Sequence, residues 1–447
     1  MNLKTQTFLV LGVSRSGEAS AEYILGKGGK CKIYEEMNSP KLTEVIKKLE
    51  QMGAENVSNL EIDKVLENVS VVVVSPGVPI NHKICVQAKQ NDIRLCSELE
   101  FGFCVSEPIK IAVTGTNGKT TTVSLVNHIL TENGVKSLLV GNVGEPVSSK
   151  VDEITSSTIC VTEVSSFQLE SIHTFSPHIA CVLNVSPDHL ERHYSMENYV
   201  FLKKRMVKNL TSSDYAVLNY DDKIVKEFYK DTRAKALYIS LYNRTNGAYR
   251  EGNSLFFDGE FIIEQSDLTL PGEHNVYNTL FAIVICKLCG LTAEEISSTL
   301  KTFRGVKHRT ELVMEKNGIK YYNDSKATNT ASTISAINMM NAPTTLILGG
   351  SEKGEDYIDL FTKIKDSFVK HTIITGESRI HMLDAAGKIG YGDMTIIKDF
   401  DTAIRFSKLI ACEGENVLFS PACASFDNFK NYQERGERFV SILEEQN

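Results

Sequence analysis

Gly115-Thr116-Asn117-Gly118-Lys119-Thr120-Thr121 follows the β-branched, apolar run Ile109-Lys110-Ile111-Ala112-Val113-Thr114. These types at this spacing suit the binding of a polyphosphate. Glycines let the backbone wrap an anion, N–H groups and a helix N-terminus face it, Lys119 brings a compact positive charge, and the Thr120 hydroxyl can reach a magnesium ion. The fuller form of the pattern has a glycine five residues before Gly118, where this chain carries Val113. A turn with a solvated lysine is therefore the competing reading. Val123, Val126, Ile129 and Leu130 then recur at helical spacing up to Gly134, so the loop lies between a strand and a helix, as phosphate binding requires.

Other candidate groups stand at the ends of apolar runs. Asn142 lies in Gly141-Asn142-Val143-Gly144, and Glu163-Val164-Ser165-Ser166-Phe167-Gln168-Leu169-Glu170 follows the next run. Strand ends beside a phosphate loop face the same ligand, so Glu163 is placed to hold magnesium and His189, in Ser186-Pro187-Asp188-His189, could serve a second metal. The competing readings make Glu163 a helix cap and put His189 in an ordinary turn. Lys203, Lys204 and Arg205 on a helix over 196–206 read as a solvated face. Asn275 and Asn278 share one face of the helix that follows Leu270-Pro271-Gly272, suited either to a base or ribose or to capping.

Near the N-terminus, Gly12-Val13-Ser14-Arg15-Ser16-Gly17 is a dinucleotide fingerprint with serine in place of its middle glycine, and Glu35 or Glu36 stands about twenty residues on. A nicotinamide, another nucleotide or diphosphate, and a purely structural turn all remain open. Ser75-Pro76-Gly77-Val78-Pro79 is a second turn at a strand end. Downstream, polarity concentrates in Lys307-His308-Arg309-Thr310-Glu311, Asn323-Asp324-Ser325-Lys326-Ala327-Thr328-Asn329, Gly349-Gly350-Ser351-Glu352-Lys353-Gly354, and Ser420-Pro421-Ala422-Cys423-Ala424-Ser425-Phe426-Asp427-Asn428-Phe429.

These residues need a scaffold of parallel sheets. Strands are expected at 8–13, 31–34, 69–74 and 93–95, then at 109–114, 137–140, 158–162, 179–183 and 216–218, and finally at 345–348, 372–374, 395–397 and 417–419. With 447 residues, more than one core is required, and the punctuation at Pro108 and Gly305 suggests three α/β domains over 1–107, 108–304 and 305–447. A net charge of −8 with no Lys/Arg cluster argues against a nucleic-acid partner. No apolar run is long enough for a signal peptide or a membrane span, so a cytoplasmic protein without a membrane partner is expected. The ten cysteines are scattered, and Cys286 and Cys289, within an apolar helix, read as buried small hydrophobes.

Taken in order along the whole chain, these segments resemble the Mur ligase family, ATP-dependent amide-forming enzymes of bacterial peptidoglycan precursor synthesis. The resemblance implies a Rossmann-like N-terminal sheet that binds the uridine diphosphate end of the substrate, a central P-loop ATPase-type domain, and a Rossmann-like C-terminal domain that receives the amino acid. It implies UDP-N-acetylmuramoyl-L-alanine and D-glutamate as substrates, ATP with two magnesium ions, an acyl-phosphate intermediate, closure of the third domain onto the second, and a monomer. Ser16, Ser75, Gly77, Asn142 and Ser165 would meet the UDP-linked substrate. Gly115, Thr116, Asn117, Gly118, Lys119, Thr120 and Thr121 would hold the ATP phosphates. Asn275 and Asn278 would approach adenine, Asp324 the ribose, and Arg309, with His308 beside it, the transferring phosphate. Metal would fall to Thr120, Glu163, His189 and a carbamylated Lys203, so that Lys119, Lys203, His189 and Arg309 form the catalytic set. Thr328, Lys353, Ser425, Phe426 and Tyr432 match the positions that receive D-glutamate. Glu35-Glu36 departs from the family's acidic-polar-basic run, and the Asp-Asn-Pro-Arg box associated with the diaminopimelate- or lysine-adding members is absent. A family ligase for another amino acid or for folate, and a nucleotide-dependent switch without turnover, are the competing functions.

Overall fold

A computed structural model describes the chain except Asn38, Pro271, Arg304, 353–355, Gln446 and Asn447. It contains two compact units, residues 1–268 with 273–302 and residues 269–272 with 303–447.

The first unit holds two large parallel sheets. Strands β1 (Thr7–Leu11), β2 (Lys30–Tyr34), β3 (Glu55–Asn56), β4 (Val71–Val74) and β5 (Arg94–Ser97) lie in the order β3-β2-β1-β4-β5. Side chains alternate along a strand, so a sheet covered on both faces must be apolar at every position. Accordingly, Leu9, Leu11, Val72 and Val74 pack into one core, and Phe8, Val10, Val71 and Val73 into the other. Strand β1 stops at Leu11, short of the expected Val13, because Gly12 turns the chain with a φ of 84°. The order of the sheet reverses beside β1, where β1 and β4 are neighbours, so the turns after these two strands share one crevice.

Gly17 sets how closely those turns approach. A Cβ there would lie 1.8 Å from the Gly12 carbonyl oxygen and 2.8 Å from Ser75 Oγ. Backbone cannot yield as a flexible side chain would, so Gly17→Ala should destabilise the unit by at least about 3 kcal/mol. Urea unfolding would measure this, and an unchanged midpoint would contradict it.

The second sheet comprises β6 (Ile109–Thr114), β7 (Ser137–Gly141), β8 (Ile159–Glu163), β9 (Ile179–Val182), β10 (Tyr215–Asn219) and β11 (Lys235–Ile239), in the order β11-β10-β9-β6-β8-β7. All its pairings are parallel. Thus β6, which runs into the Gly115–Thr121 loop, is flanked by β8 and β9. A small antiparallel sheet, β12 (Ala248–Glu251), β13 (Ser254–Phe257) and β14 (Glu260–Glu264), follows. Sequence reading missed it and β11, whose strands are short and carry charged residues between turns. The N-terminal sheet is bound to the central one through buried polar contacts. Ser97 N–H donates to the Ser171 carbonyl at 3.1 Å, and Glu98 accepts from Ser148 N–H at 2.8 Å.

The second unit has one mixed sheet of β15 (Glu311–Lys316), β16 (Ile319–Asn323), β17 (Thr344–Gly350), β18 (Val369–Gly376), β19 (Met394–Ile396) and β20 (Asn416–Phe419), in the order β15-β16-β20-β17-β18-β19. Only β15 runs antiparallel, as an edge hairpin with β16, and this pair was also not anticipated. Among the described residues no helix is long and apolar enough to cross a membrane. All ten cysteines are free; Cys286 is buried in the Glu273–Leu288 helix and Cys289 lies just past its end.

Candidate active site

The helix Lys119–Glu132 starts at Gly118, whose left-handed backbone (φ 85°) lets the loop turn sharply into it. Asn278 lies against this glycine, since a Cβ on Gly118 would come within 2.3 Å of Asn278 Oδ1. The chain after β9 clasps the loop from the other side. Thr116 N–H donates to the Asn184 carbonyl at 3.0 Å, Asn117 N–H to Asn184 Oδ1 at 2.8 Å, and Ser186 N–H to Thr116 Oγ1 at 3.0 Å. Lys119 Nζ donates to the carbonyls of Gly115 and Thr116 at 2.9 and 2.8 Å, which holds the ammonium over the loop.

Glu163 ends β8 and is buried. One carboxylate oxygen accepts from Thr120 Oγ1 and the other from Asn142 Nδ2, each at 2.7 Å. It is not a helix cap, because Ser165 caps the next helix in a reciprocal pair with Gln168. Ser165 is thereby engaged locally. A buried carboxylate beside a hydroxyl at the mouth of a phosphate loop is a hard-oxygen donor set that fits magnesium. Among the described residues no group of three or more His, Cys, Asp or Glu is arranged for a metal. An ion here would therefore draw its remaining ligands from phosphate oxygens and water.

Lys203 lies on the Met196–Lys208 helix and is not on a solvated face. It is 1% exposed, and its Nζ donates to Thr114 Oγ1 at 3.1 Å and to the Gly115 carbonyl at 2.9 Å. Burial, reinforced by the nearby Lys119 charge, lowers its pKa well below the usual lysine value. The signal was present in the sequence: Tyr199, Met206 and Val207 share the buried stripe at helical spacing with Lys203. Lys204, by contrast, pairs with Asp231 at 2.9 Å at the surface.

His189 takes a left-handed conformation (φ 52°) in a turn and is half-exposed. Its ring packs on Phe167, with centroids 4.9 Å apart, and its nitrogens lie 3.5 Å from Asp188 and 3.6 Å from Glu191. Asn275 and Asn278 are buried and joined at 3.1 Å, and Thr122 donates to Asn278 at 3.2 Å. Thr121 and Asn117 complete the loop surface.

In the N-terminal crevice, Ser75 is buried and its hydroxyl donates to the Gly12 carbonyl at 2.6 Å, whereas Gly77 is exposed and Ser16 half-buried. Glu35 accepts from Val13 N–H at 2.9 Å, so it engages the turn itself. Glu36 accepts from Tyr34 at 2.9 Å and pairs with Lys83 at 3.1 Å.

In the second unit a buried cation lies near Asp324. Arg435 is 1% exposed and donates to the carbonyls of Cys423, Ala424 and Ser325 and to Ser325 Oγ, at 2.8–3.0 Å. Sequence reasoning gave it no role. Burial draws its pKa down to about 10. Asp324 accepts from Ser420 Oγ at 2.6 Å and Thr310 N–H at 3.0 Å, and burial raises its pKa to about 6. His308 meets Asn323 at 3.0 Å and Tyr432 edge-on. Arg309, Thr328 and Phe426 are at least partly exposed, and Ser425 is buried. Lys353 lies outside the described residues.

Family models match three successive segments: a Mur ligase MurD-like N-terminal domain at residues 6–97, a Mur ligase middle domain at 113–286, and a Mur ligase, glutamate ligase domain at 308–423. The UDP-N-acetylmuramoylalanine--D-glutamate ligase of Thermoanaerobacter sp. (strain X514) is 38% identical over 100% of this chain and 99% of its own length. The protein of the same description from Clostridioides difficile (strain 630) is 36% identical over 98% of each. Among solved structures, UDP-N-acetylmuramate-alanine ligase from Thermotoga maritima gives a TM-score of 0.59 at 18% identity, covering 98% of this chain and 99% of that one. MurF from Acinetobacter baumannii gives 0.59 at 16% identity over 97% and 93%. These two show the three-domain fold. The chain belongs to the Mur ligase family.

Proposed function

We propose that the protein is an ATP-dependent ligase that joins UDP-N-acetylmuramoyl-L-alanine to D-glutamate in peptidoglycan precursor synthesis. The observation that carries this reading is the whole-length identity to ligases described by that reaction. The phosphate loop and the Thr120–Glu163–Asn142 cluster supply a site of matching chemistry.

An amine does not displace oxide from a carboxylate at useful rates, so the alanyl carboxylate must first acquire a better leaving group. Transfer of the γ-phosphoryl of ATP supplies one, and the D-glutamate amine then attacks the acyl phosphate, releasing phosphate and forming the amide. Lys119 and the loop N–H groups bind and orient the phosphates, and positioning with charge neutralisation does most of the work in such transfers. Magnesium held by Thr120 and Glu163 would screen the phosphate charge. Asn142, fixed by Glu163, presents its remaining polar atoms toward the muramoyl end, while Ser16, Ser75 and Gly77 line the uridine diphosphate crevice. Asn275 and Asn278 approach adenine. Arg309 and Asp324 serve the transferring phosphate and the ribose.

A neutral amine can attack carbon dioxide, forming an N–C bond and releasing a proton to leave a carbamate. Burial favours that neutral form at Lys203, and the resulting carboxylate-like group, with His189, would hold a second ion. The acceptor pocket comprises Thr328, Lys353, Ser425, Phe426 and Tyr432, and the protein acts as a monomer.

Phosphate release in the presence of UDP-N-acetylmuramoyl-L-alanine and a panel of amino acids tests the reading. Release with D-glutamate alone supports it; release with another amino acid, or none at all, refutes it. Within the pocket, Lys353→Ala should raise the KM for D-glutamate at least about tenfold through loss of a charge-assisted contact, with the KM for ATP little changed. Equal effects on both would contradict the pocket.

A further inference from the structure

Arg192 makes a set of contacts that none of the assigned roles uses. It sits in the short helix Leu190–His193, three residues after His189. Its Nε and Nη2 form a fork on Glu170 at 3.1 and 2.7 Å. The same guanidinium reaches into the N-terminal sheet, donating from Nη1 to the Gly77 carbonyl at 3.3 Å and from Nη2 to the Val78 carbonyl at 3.1 Å. Its face covers Phe167, with the guanidinium carbon 4.8 Å from the ring centroid, and the same ring supports His189. One side chain thus joins the turn after β4, the segment after β8 and the turn that carries His189.

The turn it holds is the one that shapes the crevice. The Ser75 carbonyl accepts from Val78 N–H at 3.0 Å, and the Ser75 hydroxyl donates to the Gly12 carbonyl at 2.6 Å. Val78 lies against Gly12, where an added Cβ would be 3.0 Å from Val78 Cγ2. Moving the Val78 carbonyl therefore moves both turns. Carbonyl oxygens carry partial negative charge, and a diphosphate nearby would be repelled by any that swung toward it. The Arg192 guanidinium, donating to the Gly77 and Val78 carbonyls, holds these two oxygens toward the central domain.

We propose that Arg192 is a positioning residue for the UDP-linked substrate: by fastening the Gly77 and Val78 carbonyls to the Glu170–Phe167 platform, it fixes the diphosphate-binding turn relative to the His189 side of the reaction centre. This rests on the reading that the N-terminal turns hold the uridine diphosphate end. A planar fork is needed to serve a carboxylate and two carbonyls at once, and a lysine ammonium, a point charge on a flexible stem, cannot reproduce it.

The test is steady-state kinetics of Arg192→Lys beside the wild type, with uridine diphosphate as a competitive inhibitor. The KM for UDP-N-acetylmuramoyl-L-alanine and the Ki for uridine diphosphate should both rise about tenfold, the loss expected for hydrogen bonds from a charged donor, while the KM for ATP stays within about twofold. Arg192→Met, which keeps the stem on Phe167 and removes every donor, should show the same split to a larger degree. Unchanged constants, or KM values for ATP and the UDP substrate that rise together with a lowered unfolding temperature, would overturn the assignment and leave only a structural strut. A wild type indifferent to uridine diphosphate would overturn the crevice reading as well; a wild type that it inhibits, matched by an equally inhibited Arg192→Lys, overturns the role of Arg192 alone.

Discussion

Replacing Lys203 with alanine should reduce kcat by about a thousandfold or more, and formate or acetate should restore part of it. The expectation follows from where the amine sits. It is buried beside Thr114 and Gly115, its charge is opposed by desolvation and by Lys119, and the phosphate loop is its immediate neighbour. A buried cation there would oppose magnesium; a carbamate would attract it. A small carboxylic acid can enter the space left by the side chain and present the missing oxygens. The pH dependence has a definite sign: protonation removes the nucleophilic amine, so re-formation of the carbamate slows as pH falls through the depressed lysine pKa. Activity assays with and without added acid and bicarbonate would check this. Full activity without rescue would mean that Lys203 serves only to tie the helix to β6.

Lys119→Ala should be as damaging by a different route. The ammonium now lies on the carbonyls of Gly115 and Thr116, within the loop itself. Its loss removes a charge from a water-poor site where charge develops, and ADP release that depends on both UDP-N-acetylmuramoyl-L-alanine and D-glutamate should fall by about a thousandfold or more. Near-native turnover would exclude the loop from the reaction.

How far the sequence discloses this site depends on the range of the forces involved. The Gly115–Thr121 loop is local: a strand, two glycines, a lysine and a helix are contiguous, so its place between strand and helix could be read directly. Glu163 was legible by one further step, since neighbouring parallel strands end on the same edge. Lys203 was misread as solvated because local charge outweighed its place on the Tyr199, Met206 and Val207 stripe. Arg192 and Arg435 were out of reach. Each acts on backbone carbonyls that folding brings from distant segments, Gly77 and Val78 for one and Ser325, Cys423 and Ala424 for the other, and a carbonyl leaves no mark in a sequence. Most parallel strands were found from their apolar runs, whereas the short or charged parallel strands β3 and β11, the β12 to β14 sheet and the β15–β16 hairpin were not. The residues that match the D-glutamate pocket came from resemblance, because nothing in their spacing specifies an amino-acid substrate.

The mass of the product formed from UDP-N-acetylmuramoyl-L-alanine, ATP and D-glutamate tests the central claim most directly. A ligase of this kind yields a UDP-linked product heavier by one glutamyl residue, with one ADP and one phosphate formed per product, and L-glutamate does not substitute. Hydrolysis of ATP without that product, or equal incorporation of either enantiomer, would contradict it.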